Sequence, residues 1–164
     1  MILGMTAFTF MHVLISLVAI ASGLIVALGL VAGKRMNGLT ALFLTTTVLT
    51  SVTGFLFPYH GFTPGIAVGI ISMVVLAIAI YARYLKQMAG GWRKTYVVTG
   101  MIALYLNMFV LIAQSFGKIP ALHALAPTQK EPPFAIAQVT LMLIFIVWTV
   151  LAAKRFHSQS LATA

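Results

Sequence analysis

The sequence contains no cysteine and a single acidic residue, Glu131. Without cysteine there is no disulfide, no thiolate metal site and no cysteine nucleophile. The lone carboxylate falls in a polar connection. The apolar runs therefore hold no aspartate or glutamate of the kind that couples solute movement to protons or sodium. Motifs for hydrolysis and nucleotide use are missing as well: there is no HExxH, no serine–histidine–acid spacing within the apolar runs and no glycine-rich phosphate loop. Charge of any sign is scarce. Only 7% of residues are charged and 62% are hydrophobic, whereas a soluble domain carries about 25% charged residues. Such a chain cannot cover a globule with polar surface, and it reads as an integral membrane protein.

What charge there is has one sign, with a formal net charge of +9. In a soluble protein that balance would suggest nucleic acid. Here the lysines and arginines gather at the ends of apolar segments, as topology and anionic headgroups require. The expected partner is the lipid bilayer, not nucleic acid. The N-terminus does not read as a signal peptide, because it lacks a basic start and its apolar run exceeds the roughly 7–15 residues of such a core.

Five apolar segments, at about residues 5–32, 39–57, 64–84, 95–116 and 134–153, approach or exceed the roughly 20 residues that cross hydrocarbon. They predict one all-α domain, residues 1–164, an integral membrane bundle of five transmembrane helices. The basic turn Gly33 to Gly38 joins the first two. An uncharged aromatic turn, Gly54 to Gly65, with Pro58, Pro64 and His60, joins the next two. The longest polar connection runs from Gly117 to Pro133. Five spans put the termini on opposite sides. Eight of the ten lysines and arginines fall in the first and third loops and the tail, and only Lys118 and Lys130 fall on the other side. The positive-inside rule then places the N-terminus outside and the C-terminus in the cytoplasm. Trp92, Tyr96 and Trp148 line up near the inner interface, with Tyr59 and Phe62 near the outer one.

This topology gathers His60, His123 and Glu131 on the outer side. It puts His12 in the first span, about 10 Å below the outer boundary at 1.5 Å per residue. Imidazole ligates zinc, copper, nickel and haem iron, so His12, His60, His123 and Glu131 are the candidate metal ligands. His12 shares a helix face with Thr9, Ser16 and Gly23, and ionisable groups within spans face the protein interior. Its bland role is a neutral histidine bonded to a threonine or carbonyl of a neighbouring helix. Asn107 and Gln114, on one face of the fourth span, and Gln138 in the fifth must also find partners, because an unsatisfied amide in hydrocarbon costs several kcal/mol. With His12 they are candidates to line an outward-opening ligand pocket, or to tie helices together. The threonines of the second span can bond back to their own helix. Gly29-x-x-x-Gly33 and Gly65-x-x-x-Gly69 permit close helix approach.

Three stretches, Thr50-Ser-Val-Thr-Gly-Phe-Leu-Phe-Pro-Tyr-His-Gly-Phe62, Ala103-Leu-Tyr-Leu-Asn107 and Ala124-Leu-Ala-Pro-Thr-Gln-Lys-Glu-Pro-Pro-Phe134, together resemble a group of uncharacterised small bacterial inner-membrane proteins. The resemblance covers most of the chain. It implies a bacterial cytoplasmic membrane and carries no activity and no site residues. The size and span count are also similar to those of the tryptophan-rich translocator proteins, which bind porphyrins. Only Trp92 and Trp148 are present here, with none of that family's motifs, so the likeness is one of size.

The expectation is a membrane protein with an outward-facing, histidine-containing polar site for a metal ion, haem, quinone or other small ligand. No particular cofactor is specified beyond a metal ion or haem. Two alternatives stand beside it. One is a small oligomeric transporter or channel for a neutral or lipid-like solute. The other is a non-catalytic subunit of a larger membrane complex that docks through the loop ending at Phe134.

Overall fold

The computed structural model describes residues 6–58, 61 and 63–157. In chain order the helices are α1 (Ala7–Val31), α2 (Asn37–Phe55), α3 (Pro64–Ile80), α4 (Trp92–Lys118), α5 (Pro120–Leu125) and α6 (Pro132–Arg155). There is no strand among the described residues. Local chemistry sets several of the boundaries. Thr6 caps α1 by accepting from the Thr9 N–H at 3.2 Å, and Thr63 caps α3 ahead of Pro64, a proline whose missing N–H costs nothing in a first turn. Prolines likewise open α5 and α6. Gly33, at φ +71°, ends α1 in the left-handed conformation that closes helices. There the Lys34 N–H returns to the Gly29 carbonyl at 2.7 Å.

The end of α3 is unusual. Its last turn, Tyr81–Leu85, widens into a π-helix, in which the Lys86 N–H reaches the Tyr81 carbonyl at 3.0 Å. Gln87 and Met88 follow at positive φ, and the Met88 N–H bonds the Ala82 carbonyl at 2.9 Å. This tight reversal buries Met88 completely and turns Arg83 inward.

Five helices are long and apolar enough to cross a membrane: α1, α2, α3 with its π turn, α4 and α6. Their outward faces remain apolar. Ile136, Leu143 and Val147 of α6 are 65%, 55% and 56% exposed. Soluble monomers rarely present such a continuous apolar surface, and the five faces are compatible with a multi-pass membrane protein.

The helix α4 sits centrally, against α3, α6 and α1, while α1 and α2 share the longest contact. The core they enclose includes Phe43, Leu76, Tyr96, Met101, Leu104 and Phe145. At Gly23 the packing leaves no room for a side chain, since a Cβ there would lie 2.6 Å from Leu104 and 2.8 Å from the Phe43 ring.

Three contacts fix which helix ends lie together. Arg83 Nη2 donates to Asn37 Oδ1 at 2.8 Å, joining the end of α3 to the start of α2. Arg93 Nη1 donates to the Ala153 carbonyl at 3.2 Å, joining the start of α4 to the end of α6. Gly33, after α1, lies against the Arg155 carbonyl. Eight of the ten lysines and arginines therefore share one end of the bundle, here called the basic end. Lys118, Lys130 and Glu131 lie at the opposite end.

The longest polar connection, 117–133, contains the short helix α5. It is pinned back onto α4 by Gln129, whose Nε2 donates to the Ala113 carbonyl at 2.8 Å. Phe116 and Phe134, in edge contact at 5.4 Å, close its base.

Candidate functional site

Hydroxyl groups on apolar helices settle their own proton first. Ser16, Ser22, Thr46, Thr47, Thr99 and Thr149 each donate to a carbonyl four residues back on the same helix. A hydroxyl used in this way still has an oxygen lone pair, and two of the threonines on α2 offer it to a neighbouring helix.

The first is Thr47. Its hydroxyl donates to the Phe43 carbonyl at 2.7 Å and accepts from Asn107 Nδ2 of α4 at 3.2 Å. The second is Thr53, near the other end of α2. Its hydroxyl donates to the Leu49 carbonyl at 2.7 Å and meets Nδ1 of His12 at 2.7 Å. With the threonine proton committed to the carbonyl, the arrangement that satisfies both bonds has the His12 Nδ1–H donating. In a neutral imidazole the second nitrogen, Nε2, is then a bare lone pair.

The surroundings of His12 are aromatic and close-fitting. The Phe57 ring meets the imidazole edge-on at 5.1 Å, and Phe8 packs on Phe57 at 4.9 Å. Gly54 lies beside the ring, where a Cβ would stand 3.7 Å from His12 Cε1. His12 itself is half-buried.

Gln138 is buried on α6, about as far inside its own helix as His12 is inside α1. Its Nε2 donates to the Phe109 carbonyl of α4 at 3.1 Å. A carbonyl can only accept, so the amide orientation is fixed and Oε1 is the free atom. That oxygen is buried without a partner among the described residues, as is the Thr50 hydroxyl one turn below Thr53.

No family model, curated protein or solved structure matches the chain. The residues and their geometry alone define what the site can do.

The candidates read from sequence are distributed as follows. His12, Asn107 and Gln138 each bridge a pair of helices: α1 to α2, α4 to α2, and α6 to α4. No hydrogen bond joins any of the three to another among the described residues. Gln114 is exposed on α4 and makes no side-chain hydrogen bond among the described residues. His123 is exposed on α5. His60 lies outside the described residues. Glu131 is engaged locally at the start of α6, accepting from the Thr128 hydroxyl at 2.8 Å and from the Lys130 N–H at 3.1 Å. Desolvation alone would raise this carboxyl, but the Thr128 hydroxyl and the amides of Glu131, Thr128 and Lys130 together hold it below its ordinary value of 4.5. Among the described residues no three histidine or acidic side chains come together as a metal site.

Sequence reasoning did not single out Phe57 or the particular threonine, Thr53, that fixes the imidazole. The threonines of the second span were expected to bond back to their own helix, as Thr53 does to Leu49, but nothing in their spacing says which hydroxyl also meets His12. The buried Arg83 was counted only as a loop cation.

Proposed function

We propose that the chain is a multi-pass membrane protein that binds a small amphipathic ligand through Nε2 of His12, at the end away from the basic rim. The observation that carries this is the Thr53 relay, in which a hydroxyl already donating to Leu49 receives the His12 Nδ1–H. It supports a fixed tautomer whose free nitrogen is an acceptor. Phe8 and Phe57 beside it favour a ring-bearing ligand with a donor hydroxyl, the chemistry of a quinol. The unpartnered Gln138 Oε1 is a second buried acceptor, on α6. Asn107, by contrast, serves as an interhelical tie.

The placement is part of the same proposal. Eight of ten cations at one end, read by the positive-inside rule, make the basic end cytoplasmic and the His12 end external. The sequence resemblance supports a bacterial inner membrane.

A second reading has one observation in its favour. Phe57 touches His12, and His60 stands three residues further along the chain. A metal ion shared by these two histidines would use the same Nε2, with water or a ligand completing the coordination.

The test is organic extraction and elemental analysis of detergent-purified protein, beside His12→Gln and His60→Ala. A bound quinone or quinol lost from His12→Gln and retained in His60→Ala supports the first reading. Stoichiometric iron, copper or zinc lost from both variants supports the second. Protein that carries neither, and that binds no added quinol analogue or metal, overturns both.

A further inference from the structure

The eight cations of the basic end face a problem of balance. The only carboxylate side chain, Glu131, is at the opposite end, so no side chain of this protein neutralises them. Between the start of α4 and the end of α6 three of these charges, Arg93, Lys94 and Lys154, line an open groove of about 410 Å³ together with His157 and the apolar Val150 and Ala153. The groove is held by the bundle itself, since Arg93 donates to the Ala153 carbonyl at 3.2 Å and so locks the two helix ends together. Lys94 and Lys154 are exposed, leaving their ammonium groups available. The α4 N-terminus beside them has neither a side-chain cap nor an acidic residue in its first turn, so its partial positive charge adds to the same field.

We infer that this groove binds the phosphate of an anionic phospholipid headgroup. The juxtaposition of Arg93, Lys94 and Lys154 with the apolar Val150 and Ala153, at the end of two helices apolar enough to cross a membrane, matches both parts of such a molecule. The cations meet the phosphodiester, and Val150 and Ala153 meet the glycerol and the first methylenes. Basic pockets between spans commonly take such headgroups. This site is independent of the reading of His12 and lies at the other end of the bundle.

The test is native mass spectrometry of the full chain in detergent, titrated with phosphatidylglycerol, with phosphatidylcholine, and with phosphatidylglycerol in the presence of inorganic phosphate. Phosphatidylglycerol is expected to bind about tenfold more tightly than phosphatidylcholine. The pair Lys94→Gln and Lys154→Gln should weaken it about thirtyfold, the order expected for two lysines beside an anionic headgroup. The pair Lys34→Gln and Arg35→Gln removes the same charge from the same end but outside the groove, and should change binding less than twofold. Unchanged melting temperatures in both pairs establish that a loss is local. Equal weakening by the two pairs, or equal binding of the two lipids, overturns the inference. Displacement of the lipid by millimolar inorganic phosphate overturns the lipid assignment and makes free phosphate the ligand.

Discussion

Arg83 and Asn37 are 46 residues apart in the sequence and 2.8 Å apart in the structure. The guanidinium is buried at 4% exposure with no carboxylate beside it. Besides the Asn37 amide oxygen it has the Met88 thioether at 3.8 Å and the faces of Tyr96 and Tyr84 at 5.0 and 5.7 Å. Its Nε makes no hydrogen bond. A buried charge held by neutral groups depends heavily on each of them. Asn37→Ala is expected to destabilise the bundle by about 1–3 kcal/mol, because it strips the acceptor from a charged donor. Adding Arg83→Met should recover most of that loss, since the orphaned charge is then gone. Melting in detergent checks both, and a double variant no more stable than Asn37→Ala alone would refute the account.

The glycines of α1 differ in what surrounds them. A Cβ at Gly23 meets Leu104 and the ring of Phe43, both in the packed core. A Cβ at Gly29 meets only the far end of the Met36 side chain, at 2.9 Å. Gly23→Ala is expected to cost about 1–3 kcal/mol through overpacking. Gly29→Ala should be neutral or slightly stabilising, as Met36 yields and alanine gains about 1 kcal/mol in helix propensity. Thermal melting of the two variants side by side decides the matter, and equal effects would contradict this reading.

Glu131 makes the turn before α6 sensitive to acid. Its carboxyl is held below 4.5 when folded. A depressed carboxylate contributes stability that is present above the unfolded value and is lost as pH falls through the folded one. The Thr128 and Lys130 amides should therefore be protected from hydrogen exchange at pH above 4.5 and lose that protection as the pH falls through the lowered value of the folded carboxyl. In Glu131→Gln the protection should no longer vary with pH over that interval. Protection in the wild-type chain that does not change across pH 3 to 6 would count against the carboxylate's role.

The absence of cysteine makes orientation directly measurable. Single-cysteine variants at two exposed positions, Lys130→Cys at the opposite end and Arg35→Cys at the basic end, introduce the only thiols. With intact cells, a membrane-impermeant maleimide should label Lys130→Cys at once and Arg35→Cys only after permeabilisation. The reverse pattern would place the basic end outside and put His12 on the inner side.

The helices were legible because length and hydropathy are properties of composition. The observed segments fall within a few residues of the apolar runs, with α4 starting at Trp92 instead of Thr95 because its first turn is polar yet helical. A bond from His12 to a threonine or a carbonyl of a neighbouring helix was expected from the cost of leaving imidazole unpartnered, and the structure has the threonine. Which threonine it was depended on the rotation of α2 against α1, which one helix's periodicity does not specify. The partner of Gln138 proved to be a backbone carbonyl, at Phe109, and every residue in a sequence offers one. Packing glycines showed the same limit. The spaced pairs Gly29/Gly33 and Gly65/Gly69 stood out as motifs, and Gly69 does lie close to α2, where a Cβ would stand 2.9 Å from the Phe55 ring, but Gly65 meets only Thr63, and Gly23, outside both pairs, sits against Phe43 and Leu104. Arg83 looked like any loop cation, because nothing in Tyr-Ala-Arg-Tyr-Leu reveals that the last turn widens and rotates the side chain inward.

That widened turn has a consequence for endurance. The joint it builds among α2, α3 and α4 rests on an amide, a thioether, aromatic rings and a guanidinium, and none of these takes up a proton as the surroundings acidify. An acid shock that releases the Glu131 turn leaves this joint as it was. The turn at Glu131 thus responds to acid while the Arg83 joint does not, and loosening of these two begins at the end that carries His12.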